Sequence, residues 1–289
     1  MKKVIEKNWL IIGSSSLASN HIVSKLAKTD IKFYGLSSKP AKSSSDIFQN
    51  IYDFYRPEPL FEKRFSKIII LSTYLPIQNK EKSEYDILTN QLFFIFSNIK
   101  FSDNGSRQII LFSSTDVVNK KEQRFSKRSS RDQRVLNYSE HKLIIEKFVR
   151  DFSLKEKLNC LILRLPALLY PGVKFNFFAR LLQKIKNKED GTFYNPERKL
   201  VALIHLDDII ELISKPVEGV KTLVCGCDGD INYRELSNIC VTLGLSSVKW
   251  ETVPGSTNLF DVSGFSRHLG YIPSSGRSIL KFLNESMHE

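Results

Sequence analysis

Short apolar runs alternate with longer amphipathic segments through the first half of the chain. Five of these runs have the length and composition of strands: Trp9–Ile12, Ile31–Leu36, Ile68–Leu71, Ile109–Phe112 and Cys160–Leu165. Continuous apolar runs are typical of strands buried on both faces, and helices between such strands indicate a parallel sheet with right-handed crossovers. The pattern predicts an α/β fold with a doubly wound parallel sheet.

The regularity falls off after Pro166. The pattern there predicts a helix, a strand and a second helix, followed by an irregular tail: Phe175–Lys186, Leu200–His205 and Ile231–Leu243. We therefore expect a first domain over residues 1–165 and a smaller lobe over residues 166–289. The lobe is expected to be interleaved with the last strands of the sheet, at about residues 200–243.

The composition excludes several classes of protein. With 289 residues, 42% of them hydrophobic, the chain can bury a core and is not disordered. No apolar run approaches the ~20 residues of a membrane span, and no small-residue cleavage site follows the first apolar stretch. We expect a soluble, cytoplasmic protein. Its four cysteines lack zinc-site spacing, so we expect reduced thiols and no metal site.

The formal net charge of +12 suits either an anionic ligand or simple solubility. The chain contains no recognisable nucleic-acid module, so phosphate-bearing small molecules are favoured, with nucleic-acid binding as an alternative. Residues 120–134 concentrate seven basic residues against two acids. That segment is either a phosphate-binding loop or a solvated flap.

The first strand runs into a turn of small residues and then a helix, over Gly13–Val23. Such a turn lets the backbone approach a pyrophosphate, which the N–H groups and dipole of the helix N-terminus bind. Gly13, Ser16 and Leu17 are the candidate contacts, although a single glycine also fits a plain strand-to-helix connection.

The second strand ends in Ser37, Ser38 and Lys39, and no acid follows before Asp46. A site that prefers NAD usually places an acid here to bind the ribose 2′-hydroxyl. Hydroxyl groups and a lysine suit a 2′-phosphate instead, which favours NADP. The alternative is a solvated loop.

Tyr138 and Lys142 stand four residues apart at the predicted opening of a helix that continues to Phe148. Positions i and i+4 share a helical face, and an adjacent ammonium lowers the pKa of a tyrosine. The pattern is that of an acid–base pair, or of an ordinary exposed helical face. The preceding strand is followed by three hydroxyl residues that end at Thr115. They lie at the edge where doubly wound sheets bind ligands, and a hydroxyl there can hydrogen-bond a substrate oxygen. A turn or a helix cap has the same composition.

Together these motifs resemble the extended short-chain dehydrogenase/reductase family of NAD-dependent epimerases and dehydratases, over nearly the whole chain. Ser16 and Ser19 stand where its Gly-x-x-Gly-x-x-Gly has the second and third glycines. Thr115 matches the family's catalytic Ser/Thr, and Tyr138 and Lys142 match its Tyr-x-x-x-Lys pair. Asn90 matches its helix Asn, Arg164–Gly172 its Arg-x-Pro segment, and Ile204–Ile209 its His-Val-Asp-Asp-Val stretch.

The resemblance implies a Rossmann-type fold with a C-terminal substrate-binding lobe. It implies that Thr115 orients the substrate oxygen, that Tyr138 is the acid–base, and that Lys142 holds the nicotinamide ribose and lowers the pKa of Tyr138. The implied cofactor contacts are Gly13, Ser16, Leu17, Ser37, Ser38, Lys39, Asp53, Ser72, Asn90, Tyr138, Lys142 and Pro166. The implied substrate contacts are Thr115, Phe177 and Arg180.

Two departures from the family pattern shape these expectations. Serine is worse than glycine by about 1 kcal/mol where φ is positive, so Ser16 and Ser19 predict weaker cofactor binding. The 4,6-dehydratases of this family carry Asp-Glu after the Thr, whereas Val117 follows Asp116 here, which argues against dehydration.

Thr115-Asp116 and the short chain are similar to the dTDP-4-dehydrorhamnose reductase branch. The expected function is therefore an NADP-dependent reductase of a nucleotide-linked 4-keto sugar, in the synthesis of surface-polysaccharide precursors. One alternative is a nucleotide-sugar 4-epimerase with tightly bound NAD, and another is an inactive member that serves as a nucleotide-binding or assembly protein. A homodimer through the apolar helix Leu88–Ile99 is a further expectation, although a buried core helix has the same pattern.

Overall fold

The computed structural model describes residues 7–38, 48–71, 82–103, 107–117, 130–252 and 261–287. The described residues divide into two compact units. The first is Met1–Arg164 with Lys215–Thr222, and the second is Leu165–Ser214 with Leu223–Glu289.

A seven-stranded sheet forms the centre of the first unit. Its strands, in spatial order, are β12 (Val220–Val224), β8 (Asn159–Leu165), β7 (Gln108–Ser114), β5 (Lys67–Ile70), β1 (Lys7–Ile12), β2 (Ile31–Ser37) and β3 (Asn50–Asp53). Strand β1 pairs in parallel with β2 and β5, and β5 pairs in parallel with β7. The central strands β5 and β7 contain continuous apolar runs, Ile68–Ile70 and Ile109–Phe112, and every residue of both strands is buried. The predicted α/β, Rossmann-type fold with a doubly wound sheet is confirmed.

Three long helices accompany this sheet: α1 (Leu17–Leu26), α2 (Lys82–Asn98) and α3 (Ser130–Lys155). The apolar residues of α2, among them Leu92, Ile95 and Phe96, are buried in a core with Ile145 and Val149 of α3. A two-stranded pair, β4 (Arg64–Phe65) and β6 (Lys100–Phe101), completes this unit. Most of the apolar residues of α2 thus serve the protein's own core, and the homodimer stays a prediction.

The second unit has its own core, around Phe193, Phe282 and Leu236. Its strands are β9 (Ala167–Leu169), β10 (Gly191–Tyr194), β11 (Leu203–His205) and β13 (Val248–Glu251), which pair as β11 with β9 and β10 with β13. Its helices are α4 (Phe177–Lys186), α5 (Leu206–Ser214), α6 (Tyr233–Thr242), α7 (Ser263–Leu269) and α8 (Ser275–Met287).

The structure corrects three sequence-based predictions. Helix α3 begins at Ser130, so Tyr138 lies well inside a helix rather than at its opening. The strand expected at Leu200–His205 covers only Leu203–His205, because residues 199 and 200 already bond to residues 231 and 232. The tail expected to be irregular contains β13, α7 and α8, and apolar residues of β13 and α8 pack into the core of the second unit.

Candidate active site

The carboxyl end of β7 supplies the hydroxyl groups of the site. Ser113 and Ser114 end the strand, and Thr115 begins a short 3-10 helix that extends to Val117. All three hydroxyl residues are buried. Polar side chains buried at the carboxyl end of a central parallel strand are typical of ligand sites in doubly wound sheets.

Helix α3 faces this strand end with three functional side chains spaced four residues apart: Tyr138, Lys142 and Glu146. All three are buried. The Nζ atom of Lys142 donates a hydrogen bond of 2.8 Å to the backbone carbonyl of Phe112 on β7. The same Nζ lies 5.5 Å from the ring centroid of Tyr138. The pair predicted from Tyr-x-x-x-Lys is therefore assembled against the sheet and is not an exposed helical face.

The Ser114 hydroxyl is a hydrogen-bond partner of Tyr138 and lowers its pKa. Ser114 Oγ also donates to Asp116 Oδ2 at 3.1 Å and accepts from the Asp116 N–H at 3.2 Å. Sequence reasoning singled out Thr115, one residue later, as the family match and missed Ser114. The only available signal was the row of three hydroxyl residues, since the pattern does not say which of them faces the helix.

The pKa of Tyr138 moves in the direction opposite to the one expected. Burial raises it well above its usual range, the negative charge of Asp116 raises it further, and the hydrogen bond with Ser114 offsets only part of this. Burial also lowers the pKa of Lys142 to about 7, against the attraction of Glu146 and Asp116. Lys142 is not among the groups that shift the pKa of Tyr138, and a buried phenolate beside a carboxylate is unfavourable.

Glu146 anchors the base of this site. Its carboxylate accepts hydrogen bonds from Ser113 Oγ at 2.5 Å and from Arg164 Nε and Nη2 at 3.1 and 2.8 Å. Ser113 lies on β7 and Arg164 on β8, so one carboxylate joins α3 to the ends of two strands. Sequence analysis placed Arg164 in the Arg-x-Pro segment but did not identify Glu146.

Helix α2 closes the other side of α3 through buried aromatic and hydroxyl residues. The Tyr85 ring lies against His141, with centroids 4.6 Å apart, and Thr89 Oγ1 is 3.3 Å from His141 Nδ1. Burial, followed by the charge of Lys142, lowers the pKa of His141 to about 4, so the ring is neutral at pH 7. The predicted cofactor contact Asn90 lies on the exposed face of α2, whereas its neighbour Thr89 faces α3.

The turn between β1 and α1 has the conformation expected of a phosphate loop. Gly13 has φ of +96° and donates its N–H to the Leu36 carbonyl at 2.8 Å. Ser16 is the N-cap of α1, and its side chain accepts from the Ser19 N–H. The N–H groups of Leu17 and Ala18, in the first helical turn, have no partner within the helix.

The strain expected from the two serines is absent. Ser16 has φ of −81°, which any residue adopts, and Ser19 lies within the helix. The Ser19 hydroxyl is within hydrogen-bonding distance of the Ser14 and Ser16 carbonyls, at 2.6 and 2.7 Å. Within this turn, Gly13 is the residue whose conformation requires glycine, and the two serines do not distort the backbone. The turn and the helix N-terminus therefore fit the pyrophosphate of a dinucleotide.

The ends of β2 and β3 lie side by side at the same edge of the sheet. Ser37 pairs in register with Asp53, Ser38 follows as an exposed residue, and Asp53 is also exposed. The Asp53 carboxylate accepts from the Tyr55 N–H at 2.8 Å. Lys39 and Ser72 lie outside the described residues, as do residues 120–129 of the basic segment; residues 130–134 belong to α3.

The remaining predicted contacts belong to the second unit. Pro166 is half-buried just before β9. Phe177 is the first residue of α4, and its ring packs against Phe178, Phe193 and Tyr233. Arg180 is exposed on the same helix.

A parallel α/β sheet, a positive-φ glycine before α1 and a buried Tyr138–Lys142 pair beyond β7 define a dinucleotide-binding fold with an acid–base site. The sequence model of the NAD dependent epimerase/dehydratase family matches residues 9–225. The chain belongs to this family of NAD(P)-dependent enzymes, which is of the extended short-chain dehydrogenase/reductase type, and the resemblance is confirmed.

Solved structures of similar fold cover nearly the whole chain. An epimerase from Methanothermobacter thermautotrophicus is 14% identical, covers 97% of this chain and 92% of its own, and has a TM-score of 0.69. The UDP-glucuronic acid 4-epimerase of Bacillus cereus, solved with NAD, is 15% identical over 96% of both chains, with a TM-score of 0.69. The dTDP-glucose 4,6-dehydratase of Bacillus anthracis, also solved with NAD, is 14% identical over 96% of both chains, with a TM-score of 0.67. No curated protein matches the sequence.

Among the helices described, none is both long and apolar enough to cross a bilayer. Within the same residues, no group of three or more His, Cys, Asp or Glu side chains is arranged to bind a metal ion.

Proposed function

We propose that the protein is an NADP-dependent reductase of a nucleotide-linked 4-keto sugar. The observation that carries this proposal is the burial of Tyr138 on α3 beside the carboxylate of Asp116. Burial and the adjacent carboxylate raise the pKa of Tyr138 and keep it a neutral phenol. A neutral phenol is a proton donor, which ketone reduction requires, whereas oxidation of an alcohol requires a base.

The chain's own residues account for binding and proton transfer. Gly13 and the first turn of α1 would hold the pyrophosphate, and Lys142 would hold the nicotinamide ribose. When bound, the dinucleotide supplies a hydride. Tyr138 then gives its proton to the new alkoxide oxygen, and Ser114, with Thr115 beside it, orients that oxygen.

Two features support reduction over dehydration and NADP over NAD. Asp116 is followed by the buried Val117, so the second carboxylate of the Asp-Glu pattern is missing. Ser37 and Ser38 end β2 with hydroxyl groups, which suit a 2′-phosphate. Lys39→Ala, outside the described residues, is expected to weaken NADPH more than NADH, and equal losses would contradict the preference.

A nucleotide-sugar 4-epimerase is the second candidate, and the comparisons favour it. The proteins of similar fold include UDP-galactose, UDP-glucuronic acid and UDP-N-acetylglucosamine 4-epimerases. The same Tyr138–Lys142 pair would serve it, provided that Tyr138 becomes a phenolate in the loaded enzyme. Phe177 and Arg180 are proposed to contact the nucleotide sugar in either case.

The test is calorimetric titration of the purified protein with NADPH, NADP, NADH and NAD, with analysis of the isolated protein for bound nucleotide. Tight, selective NADPH binding, followed by NADPH oxidation with a 4-keto sugar nucleotide, supports the reductase. Retained NAD, with interconversion of UDP-sugars and no net redox change, would replace it by the epimerase. The absence of binding by any dinucleotide would refute both.

A further inference from the structure

We propose that Glu146 is a positioning residue that keeps Lys142 an ammonium ion beside Tyr138. The inference rests on the proposed function for its catalytic meaning, although the charge state of Lys142 can be measured without any substrate. Glu146 itself contacts neither the Tyr138 ring nor the strand-end hydroxyl of Ser114 in the described contacts, so it acts through Lys142.

The carboxylate of Glu146 is fixed from three directions. Ser113 Oγ donates to Oε1, Arg164 Nε donates to the same oxygen, and Arg164 Nη2 donates to Oε2 at 2.8 Å. The glutamate side chain is only 4% exposed. A buried carboxylate held by this many donors cannot move away from the helical face that it shares with Lys142.

Lys142 needs this charge because its other surroundings oppose protonation. It is fully enclosed, and burial alone favours the neutral amine. Its Nζ has the Phe112 carbonyl as a fixed acceptor, and the two carboxylates that attract it are Glu146 and Asp116. Of these, Glu146 is the stronger attraction.

The titratable groups around Lys142 come from three elements. Helix α3 contributes Tyr138, His141 and Glu146, the 3-10 helix after β7 contributes Asp116, and β8 contributes Arg164 through Glu146. His141 is neutral at pH 7 and Tyr138 is a phenol. Of the two carboxylates that attract Lys142, Glu146 is fixed in place by Ser113 and Arg164.

The experiment is a pH titration by NMR of the full-length protein labelled with ¹³C at lysine Cε. The Lys142→Arg variant identifies the resonance of Lys142. In Glu146→Gln, which keeps the shape and loses the charge, the titration midpoint of Lys142 is expected to fall by about one pH unit or more, a tenfold change in its protonation equilibrium. The matched control is Glu140→Gln, an exposed glutamate of the same helix, which should leave the midpoint in place.

The charge-conserving variant separates electrostatics from packing. Glu146→Asp keeps a carboxylate but shortens the side chain by one methylene. The titration midpoint of Lys142 in this variant should therefore lie between its midpoints in wild type and in Glu146→Gln. An unchanged midpoint in Glu146→Gln would overturn the inference. If Glu146→Gln does not fold, Glu146→Asp decides alone, and a midpoint equal to that of wild type overturns the inference.

Turnover gives the independent check on the reaction. The alkaline limb of kcat for a 4-keto sugar nucleotide should move to lower pH in Glu146→Gln, by the same amount as the NMR midpoint. If the midpoint moves while wild type reduces no such sugar, the proposed function fails and the role of Glu146 toward Lys142 stands. If wild type is active and the kcat profile does not follow the midpoint, the positioning role is refuted.

Discussion

The Nζ atom of Lys142 and the backbone carbonyl of Phe112 are joined by a hydrogen bond of 2.8 Å. The bond ties the ammonium group of α3 to the end of β7, one residue before the run of hydroxyl side chains begins. Lys142 is thereby held between the strand and the Tyr138 ring, out of contact with bulk water. The acid–base pair is part of the packing of a helix on a sheet, so its charge states depend on burial.

Tyr138→Phe removes the proposed proton donor and leaves the ring in place. We expect turnover to fall by about 100-fold or more, the usual contribution of general acid–base catalysis, with dinucleotide affinity nearly unchanged. Steady-state kinetics and calorimetry measure the two quantities. Tyr55→Phe, on a half-exposed tyrosine away from helix α3, is the control, and normal turnover in Tyr138→Phe would refute the mechanism.

Ser114→Ala and Thr115→Val together decide which hydroxyl assists Tyr138. The structure places Ser114 against Tyr138 and Asp116, so we expect Ser114→Ala to lower kcat by about 10-fold or more and Thr115→Val to lower it less. Ser114→Ala should also raise the pKa of Tyr138 further, because it removes the hydrogen bond that lowers it. A large loss confined to Thr115→Val would restore the assignment made from the family pattern.

Gly35→Ala tests the close approach of β2 to the phosphate turn. A Cβ atom at position 35 would lie 2.6 Å from Ser14 Oγ and 3.0 Å from an Ile51 side-chain atom. Overpacking of this kind costs about 1–3 kcal/mol, which should appear as a lower free energy of unfolding in urea. The double variant Gly35→Ala/Ser14→Gly should recover part of the loss.

Gly264→Ala is the matched control for that substitution, since a Cβ atom there meets only an ordinary contact at 3.5 Å. It should leave stability unchanged or slightly higher. If the double variant is no more stable than Gly35→Ala, Ser14 is not the group that excludes a side chain from position 35.

Two buried lysines predict that the protein gains stability as the pH rises above 7. Burial lowers the pKa of Lys67 and of Lys142 to about 7, against about 10.4 in an unfolded chain. Between these values the unfolded state binds protons that the folded state lacks, so the free energy of unfolding increases with pH. Below pH 7 this stabilisation is lost, because the lysines must then be charged in both states.

Lys67→Met tests this linkage away from the active site. Lys67 opens β5 with its Nζ 4.1 Å from the ring centroid of Trp9. We expect the gain in unfolding free energy between pH 7 and 9 to be smaller in the variant, by on the order of 1–2 kcal/mol. Denaturant titrations at the two pH values measure it, with the exposed Lys63→Met as control. An equal gain in wild type and variant would show that Lys67 is charged in the folded protein.

Local sequence patterns predicted the central strands of the first unit and helices α4 and α6 of the second unit, and missed the elements of the C-terminal tail. Three of the predicted strands of the central sheet, β1, β5 and β7, contain runs of three or four apolar residues that no polar residue interrupts. Helix α8 was missed although Ile279, Phe282, Leu283 and Ser286 repeat at helical spacing on its buried face. Ile279, Phe282 and Leu283 of this helix pack into the core of the second unit.

The sequence by itself determined the α/β order of elements, the tight turn at Gly13 and the Tyr138–Lys142 spacing, because each depends on neighbours along the chain. Tertiary structure decided that Ser114 bonds to Asp116, and that Glu146 joins Ser113 and Arg164. It also decided the charge states, since the pKa of a side chain depends on burial and on charges that come from other strands and helices. Those quantities are set by three-dimensional proximity, which no linear spacing specifies.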